Sequence, residues 1–289
     1  MRLIPMTAQV MKKTFLPVSL AGIAFLLCCC SKSGRQVDSP SQPARMVVSF
    51  RHAVGSDPLV LDTLKYINSS GDRYKVTDLQ YFLSDMVLHK QGGGLYTLSS
   101  NGGIHYADAR IDSSLLWFPT DGIPAGNYDS ISFTFGLNAE KNISNRFPNP
   151  PERDMSWPQV LGGGYHYMKL NLVWKKDSMD HTLPFNFHLG IGQIYQGNNT
   201  NMDSITGYVQ NFFRVSLPNS AFSIEEGQTM IVILTMDINQ WFSGESEFDF
   251  AHYPNMMMQN EQAMQKACLN GRHAFSMQSN FRFKNIPAR

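Results

Sequence analysis

The chain has 289 residues, of which 43% are hydrophobic and 16% are charged, a composition typical of a folded protein with a large apolar core. Lys plus Arg (24) nearly balance Asp plus Glu (23), so the net charge is only +1. Without a basic field to attract phosphates, nucleic-acid binding is excluded as a function class. The 22 glycines and 15 prolines favour many turns over long helices.

Residues 1–30 are predicted to be an export signal. Lys12 and Lys13 precede an apolar run from Phe15 to Cys30, which is shorter than the roughly 20 residues that span a bilayer. The start codon stays open between Met1 and Met11. This charge and length pattern is typical of a signal peptide rather than of a membrane helix.

The end of this signal resembles a bacterial lipobox, in which a cysteine is acylated and becomes the new N-terminus. Cys30 is the preferred lipidation site, with Leu27 at the usual apolar position before it. Cys29 is the second choice, and an ordinary signal with incidental cysteines is the alternative. If Cys30 carries the lipid, Cys268 is the one thiol left to the mature domain and no internal disulfide can form.

Residues 31–45 are polar and contain Pro, Ser and Gly, so we predict a flexible tether followed by a single domain over 46–289. Period-two alternation of apolar residues predicts eight strands in that domain. Short strands without alternating helices favour an antiparallel sandwich or barrel. We predict an all-β antiparallel β-sandwich with long loops and one short C-terminal helix, which starts at the Asn260 cap and stops at Gly271. The predicted strands are 45–54, 74–90, 104–108, 128–137, 165–174, 183–191, 212–217 and 230–238.

A long loop over about 138–164 contains four prolines and three successive glycines. A loop of this length is usually functional or disordered. Its Phe147, Met155 and Trp157 argue against disorder, because burial of apolar surface would order them. Trp157 lies eight residues before the predicted strand that carries His166, so the loop could hold the indole over a site on the sheet.

Two histidines in neighbouring predicted strands are the strongest chemical signal. His166 and His188 have numbers of the same parity, so an even register sum would place them on one face together with Met168, whereas an odd sum would part them. Two neutral imidazoles and a thioether, from Met168 or Met155, suit copper better than magnesium or calcium. The alternative for each histidine is a hydrogen-bonded, half-buried strand residue.

Four stretches resemble the methanobactin-associated copper-binding protein (MbnP-like) family, in its Bacteroidetes lipoprotein branch. These are residues 48–85, 123–137, NPPERDMSWPQVLGGGYHYMKLN (149–171) and FHLG (187–190), with the pattern Met-x-Trp, Gly-Tyr, strand, His-x-Gly. The resemblance implies a β-rich copper protein in the bacterial envelope. In some members a partner di-haem cytochrome c peroxidase oxidises a tryptophan to kynurenine, which helps to bind copper beside histidines.

By this resemblance, Trp157 matches the modified tryptophan and His188 is the best-matched copper ligand. His166 and His52 are weaker transfers. Gln159 stands where the best-known members carry a histidine two residues after the tryptophan.

The residues after Cys30 bear on the location of the protein. Bacteroidetes lipoproteins exported to the cell surface tend to carry acidic residues directly after the lipidated cysteine. This chain has Ser31-Lys32-Ser33-Gly34 there, which favours the periplasmic side of the outer membrane.

The sequence thus predicts a lipid-anchored copper-binding module that is not an enzyme. Because protons compete for imidazole nitrogens, we expect metal release as the pH falls through the ordinary histidine range near 6.5. One rival is a lipoprotein that binds a glycan or small ligand on an aromatic platform, with amides from 197–201. The aromatic platform of this rival would consist of Trp157, Tyr165, Tyr167 and Tyr195. A second rival is a structural, partner-docking module.

Overall fold

The computed structural model of the protein describes residues 42–197, 201–253 and 255–284. The signal, Cys30 and most of the tether therefore lie outside the described residues, and their assignments stay predictions. The first half of the described chain contains β1 (Arg45–Val54), β2 (Asp57–Pro58), β3 (Tyr66–Ile67), β4 (Arg73–Lys90), β5 (Leu95–Thr97), β6 (Ile104–Asp108), β7 (Leu116–Trp117) and β8 (Gly126–Phe135). The second half contains β9 (Met168–Lys175), β10 (Leu183–Leu189), β11 (Gly192–Tyr195), β12 (Ile205–Val209), β13 (Phe213–Leu217), β14 (Phe222–Ile224), β15 (Gln228–Asp237), α1 (Gln240–Ser243), α2 (Glu261–Gly271) and β16 (Phe275–Lys284).

These strands form two main sheets. The larger sheet has the order β10-β9-β4-β8-β13, with β3, β5 and β6 also pairing with β4 and β14 pairing with β8. The smaller sheet has the order β16-β15-β1-β2, with β7 on β1. The pairs are antiparallel except β1 with β15, which is parallel. A separate two-stranded hairpin joins β11 to β12.

Aromatic side chains from the two sheets meet in a common core. Phe50 of β1 packs edge-on against Tyr81 of β4 at 6.4 Å, and Phe133 of β8 packs against Phe275 of β16 at 5.1 Å. All four rings are buried. The fold is thus the predicted all-β sandwich, held by aromatic burial between its layers.

Most predicted elements are confirmed. Each of the eight predicted strands has a counterpart, and α2 begins at the Asn260 cap, whose Oδ1 accepts a hydrogen bond from the Ala263 amide at 3.0 Å. The helix ends at Gly271, where an added Cβ would lie 2.4 Å from the Trp241 ring. Strand β16 was missed, although its sequence FSMQSNFRFK alternates apolar and polar residues with a single break at Ser279. No helix within the described ranges is long and apolar enough to span a membrane.

Candidate metal centre

The centre lies on the outer face of the larger sheet, at β9 and the edge strand β10. Burial in β9 alternates strictly, so Met168 and Leu170 face the core whereas Lys169 and Asn171 face outward. In β10, Phe187 faces the core. Because successive side chains of a strand point to opposite faces, His188 faces outward.

The register of this hairpin is odd. His188 pairs with Lys169 and Leu189 with Met168, so each pair of numbers sums to 357. Met168 therefore lies on the core face, opposite to His188, and it is fully buried there. The even register that would have brought Met168 beside the imidazoles does not occur, and the odd register separates Met168 from His188.

His166 nevertheless meets His188. The two rings pack edge to face with their centroids 5.1 Å apart. His166 precedes β9 rather than lying within it, and residues 165–168 are all buried, so the alternation is interrupted there. The expectation that an odd register would separate the two histidines is therefore also wrong, because it assumed a regular strand through His166.

The long loop supplies both an anchor for His166 and an indole beside it. The Met155 carbonyl accepts hydrogen bonds from the His166 amide at 2.7 Å and from its Nδ1 at 3.0 Å. Met155 thus contacts the site through its backbone oxygen. The Trp157 ring packs edge to face on His166 at 4.6 Å, and its Nε1 donates to the Leu161 carbonyl at 3.1 Å.

The glycines of the family pattern have a steric role. Gly162, Gly163 and Gly164 all have positive φ, and Gly164 accepts a hydrogen bond from the Trp157 amide at 2.9 Å, which closes the loop. A Cβ added to Gly190 would lie 2.6 Å from two carbons of the Trp157 ring. In the His-x-Gly sequence, His188 therefore lies two residues before Gly190, whose lack of a side chain leaves room for the indole.

The nitrogens of the two imidazoles differ in their hydrogen bonds. His166 Nδ1 donates to the Met155 carbonyl, so the lone pair of the neutral ring lies on Nε2, and the Ser156 backbone is a further hydrogen-bond partner of this ring. His188 Nε2 lies 2.7 Å from Asn171 Oδ1, while its Nδ1 is buried without a partner in the described chain. A carbonyl oxygen only accepts, so His188 is protonated at Nε2 and Nδ1 carries its lone pair.

Burial keeps both rings neutral. It lowers the pKa of His166 to about 3, with His188 and the Lys169 ammonium as further causes. Burial also lowers the pKa of His188 to about 4, again with a contribution from Lys169. Protons therefore compete with a metal for these nitrogens only well below the range near 6.5 expected for ordinary histidines.

Two predicted ligands lie elsewhere. His52, on β1 of the smaller sheet, bonds through Nε2 to Tyr81 Oη at 3.0 Å, and burial lowers its pKa to about 4. Met168 packs in the core. No cluster of three or more His, Cys, Asp or Glu side chains able to hold a metal occurs within residues 42–197, 201–253 and 255–284. Of the predicted residues, the structure thus brings together His166, His188, Trp157 and the backbone of Met155.

Three of the four rings of the rival aromatic platform are buried, and only Tyr195 of the four is half-buried. Tyr165 and Tyr167 are fully buried and Trp157 is 3% exposed, so none of these rings offers a free face to a sugar. Sequence reasoning missed Lys169 and Asn171, which flank the imidazoles on the outer face of the sheet. The sequence feature that could have indicated them is the alternation of polar and apolar residues in MKLNLVWK. The same pattern occurs in any strand with one solvated face, so it does not single out a site.

Fold and site together define an all-β sandwich protein with a pair of neutral imidazoles, one buried and one half-buried, and a loop tryptophan packed on the buried one. The sequence model of the MbnP family matches residues 43–259, and the chain belongs to this family. The solved structure of MbnP from Methylosinus trichosporium is similar to this chain, with 16% sequence identity and a TM-score of 0.44. The match covers 68% of this chain and 77% of that one. No curated protein matches the sequence.

Proposed function

We propose that this protein is a copper-binding module, in which His166 Nε2 and His188 Nδ1 are the protein ligands. The observation that carries the proposal is the pair of neutral imidazoles with ring centroids 5.1 Å apart, of which His188 has its Nδ1 buried without a partner among the described residues. A buried nitrogen without a partner is costly unless something binds it. An ion between the rings would relieve that cost at His188.

The donor set fits copper better than the common alternatives. Neutral imidazole suits copper and zinc, whereas magnesium and calcium prefer oxygen ligands. Structural zinc takes four protein ligands and catalytic zinc three, and the described residues supply two imidazoles here. Membership of the MbnP family also supports copper as the bound metal.

A binding role suits the enclosure of the site. His166 is 5% exposed and the Trp157 ring packs on it, so the imidazole offers no open surface to an extended substrate. We therefore propose a carrier or sequestering protein and not an enzyme. By family resemblance, the proposal extends to a lipid anchor at Cys30, an outer-membrane location facing the periplasm, and a di-haem peroxidase partner that oxidises Trp157.

Isothermal titration of Cu(I) and Cu(II) against the purified protein tests the ligand assignment. His166→Ala and His188→Ala are each expected to lower affinity by more than about 100-fold, the upper end of what loss of an outer-shell partner costs. His181→Ala is the matched control, since the His181 side chain is 66% exposed and its one hydrogen bond within the described part of the chain is to Asp180 at 2.7 Å. Equal affinities in all four proteins would remove both imidazoles from the site.

A further inference from the structure

The Asn171 side chain is held between the imidazole of His188 and a carboxylate. Its Oδ1 lies 2.7 Å from His188 Nε2, and its Nδ2 donates to Asp78 Oδ2 at 3.4 Å. The other oxygen of Asp78 accepts from Arg110 Nε at 2.9 Å. This row of polar side chains runs across β9 and β4 on the outer face of the larger sheet.

The chemistry of the row permits one orientation of the amide. A carboxylate paired with arginine only accepts hydrogen bonds, so the NH₂ group of Asn171 has to face Asp78. The amide oxygen then has to face His188, and it too can only accept. The proton of the neutral imidazole is thereby placed on Nε2.

The opposite tautomer is disfavoured at both ends of the ring. It would set a lone pair on Nε2 against the amide oxygen, and it would put a proton on Nδ1, which is buried without an acceptor in the described chain. A buried donor left without an acceptor destabilises the state that contains it. The two effects act in the same direction.

We infer that Asn171 and Asp78 are positioning residues that select the Nε2–H tautomer of His188 and so leave Nδ1 as its metal-binding nitrogen. The selection of the tautomer is a property of the metal-free protein. Its consequence for copper rests on the proposed function. Outer-shell partners that orient a ligating histidine commonly change metal affinity by 10–100-fold.

Nitrogen-15 NMR of the metal-free, histidine-labelled full chain at neutral pH tests the tautomer directly, because protonated and unprotonated ring nitrogens have distinct shifts. The wild type is expected to show His188 protonated at Nε2. Asn171→Leu removes the acceptor and is expected to give a mixture of tautomers or the Nδ1–H form. Asn171→Asp combined with Asp78→Asn retains an acceptor facing His188 and an NH₂ donor between the two side chains, and is expected to restore the wild-type signal.

Asn186→Leu is the matched control. Asn186 pairs with Asn171 across the hairpin and lies on the same outer face, and its side chain makes no hydrogen bond among the described residues. This variant is expected to leave the His188 tautomer unchanged. A backbone amide spectrum of each variant confirms that the sheet is intact before the ring signals are compared.

The outcomes separate the two proposals. A change of tautomer in Asn171→Leu, with a 10–100-fold loss of Cu(I) affinity and recovery in the Asn171→Asp, Asp78→Asn double variant, supports the inference. An unchanged Nε2–H signal in folded Asn171→Leu overturns it. If the wild type binds no copper, the proposed function fails, and the NMR result still decides whether Asn171 sets the tautomer.

Discussion

At the scale of single residues, Gly190 determines where the indole can lie. The Trp157 ring packs edge to face on His166, which packs edge to face on His188, and the indole reaches its place because residue 190 has no side chain. The indole Nε1 donates a hydrogen bond to the Leu161 carbonyl, which fixes the edge of the ring. Close approach of the ring to the backbone, directly after β10 ends at Leu189, is the physical reason for a glycine at this position.

Gly190→Ala is expected to destabilise the protein by about 1–3 kcal/mol, the usual cost of overpacking. The added Cβ would lie 2.6 Å from Cε3 and Cζ3 of Trp157, so the indole has to move. Urea unfolding measures the loss, and tryptophan fluorescence reports the displaced ring. Gly207→Ala is the control, because its Cβ would meet Ile194 Cδ1 at an ordinary 3.4 Å and should change stability by no more than about 0.5 kcal/mol.

At the scale of elements, the hairpin of β9 and β10 carries apolar side chains on one face and polar side chains on the other. The core face carries aromatic and aliphatic side chains, and the outer face carries His188, Lys169 and Asn171. Alternation predicted that each strand has two such faces. It could not predict the register, because one residue more or less in the connection 176–182 changes which partners lie opposite each other.

Met168→Leu tests the face assignment. Since the Met168 side chain is buried in the core, a volume-conserving change is expected to cost less than about 1.5 kcal/mol of stability. Copper affinity should stay within about twofold of wild type, far from the tenfold change that 1.4 kcal/mol represents. Calorimetric titration beside His188→Ala measures this. A large loss of affinity in Met168→Leu would show that the thioether reaches the ion.

At the scale of the whole molecule, burial of neutral histidines is a recurrent feature. His105 is stacked between Phe50 and Trp117, with centroid distances of 4.8 and 5.4 Å, and burial lowers its pKa to about 4. His52, His166 and His188 are lowered by burial as well, to about 4, 3 and 4. The folded protein therefore takes up protons at these four rings at lower pH than the unfolded chain.

We expect stability to fall as the pH drops from about 6.5 towards 4. In that window the unfolded chain binds protons at histidines with pKa near 6.5, and the folded protein does not, so protonation favours unfolding. Each ring contributes a slope of up to about 1.4 kcal/mol per pH unit. Stability from these groups is fully present above pH 6.5.

Urea midpoints measured at pH 7, 6 and 5 in metal-free protein test this expectation. His105→Phe should reduce the slope by up to about 1.4 kcal/mol per pH unit, whereas substitution of the exposed His181 by Phe should leave it unchanged. Stability independent of pH between 6.5 and 5 would contradict the buried, neutral state of these rings.

The sequence by itself determined the strands, the C-terminal helix and the ordered tryptophan loop, because alternation, capping and aromatic content are local properties of the chain. It also indicated His166, His188 and Trp157 through residue type and family pattern. Only the tertiary structure decided that Met168 and His52 lie apart from them and that Asn171 faces His188. Register, the bend before Met168 and the packing of the indole on Gly190 depend on contacts between segments distant in sequence, which no local pattern encodes.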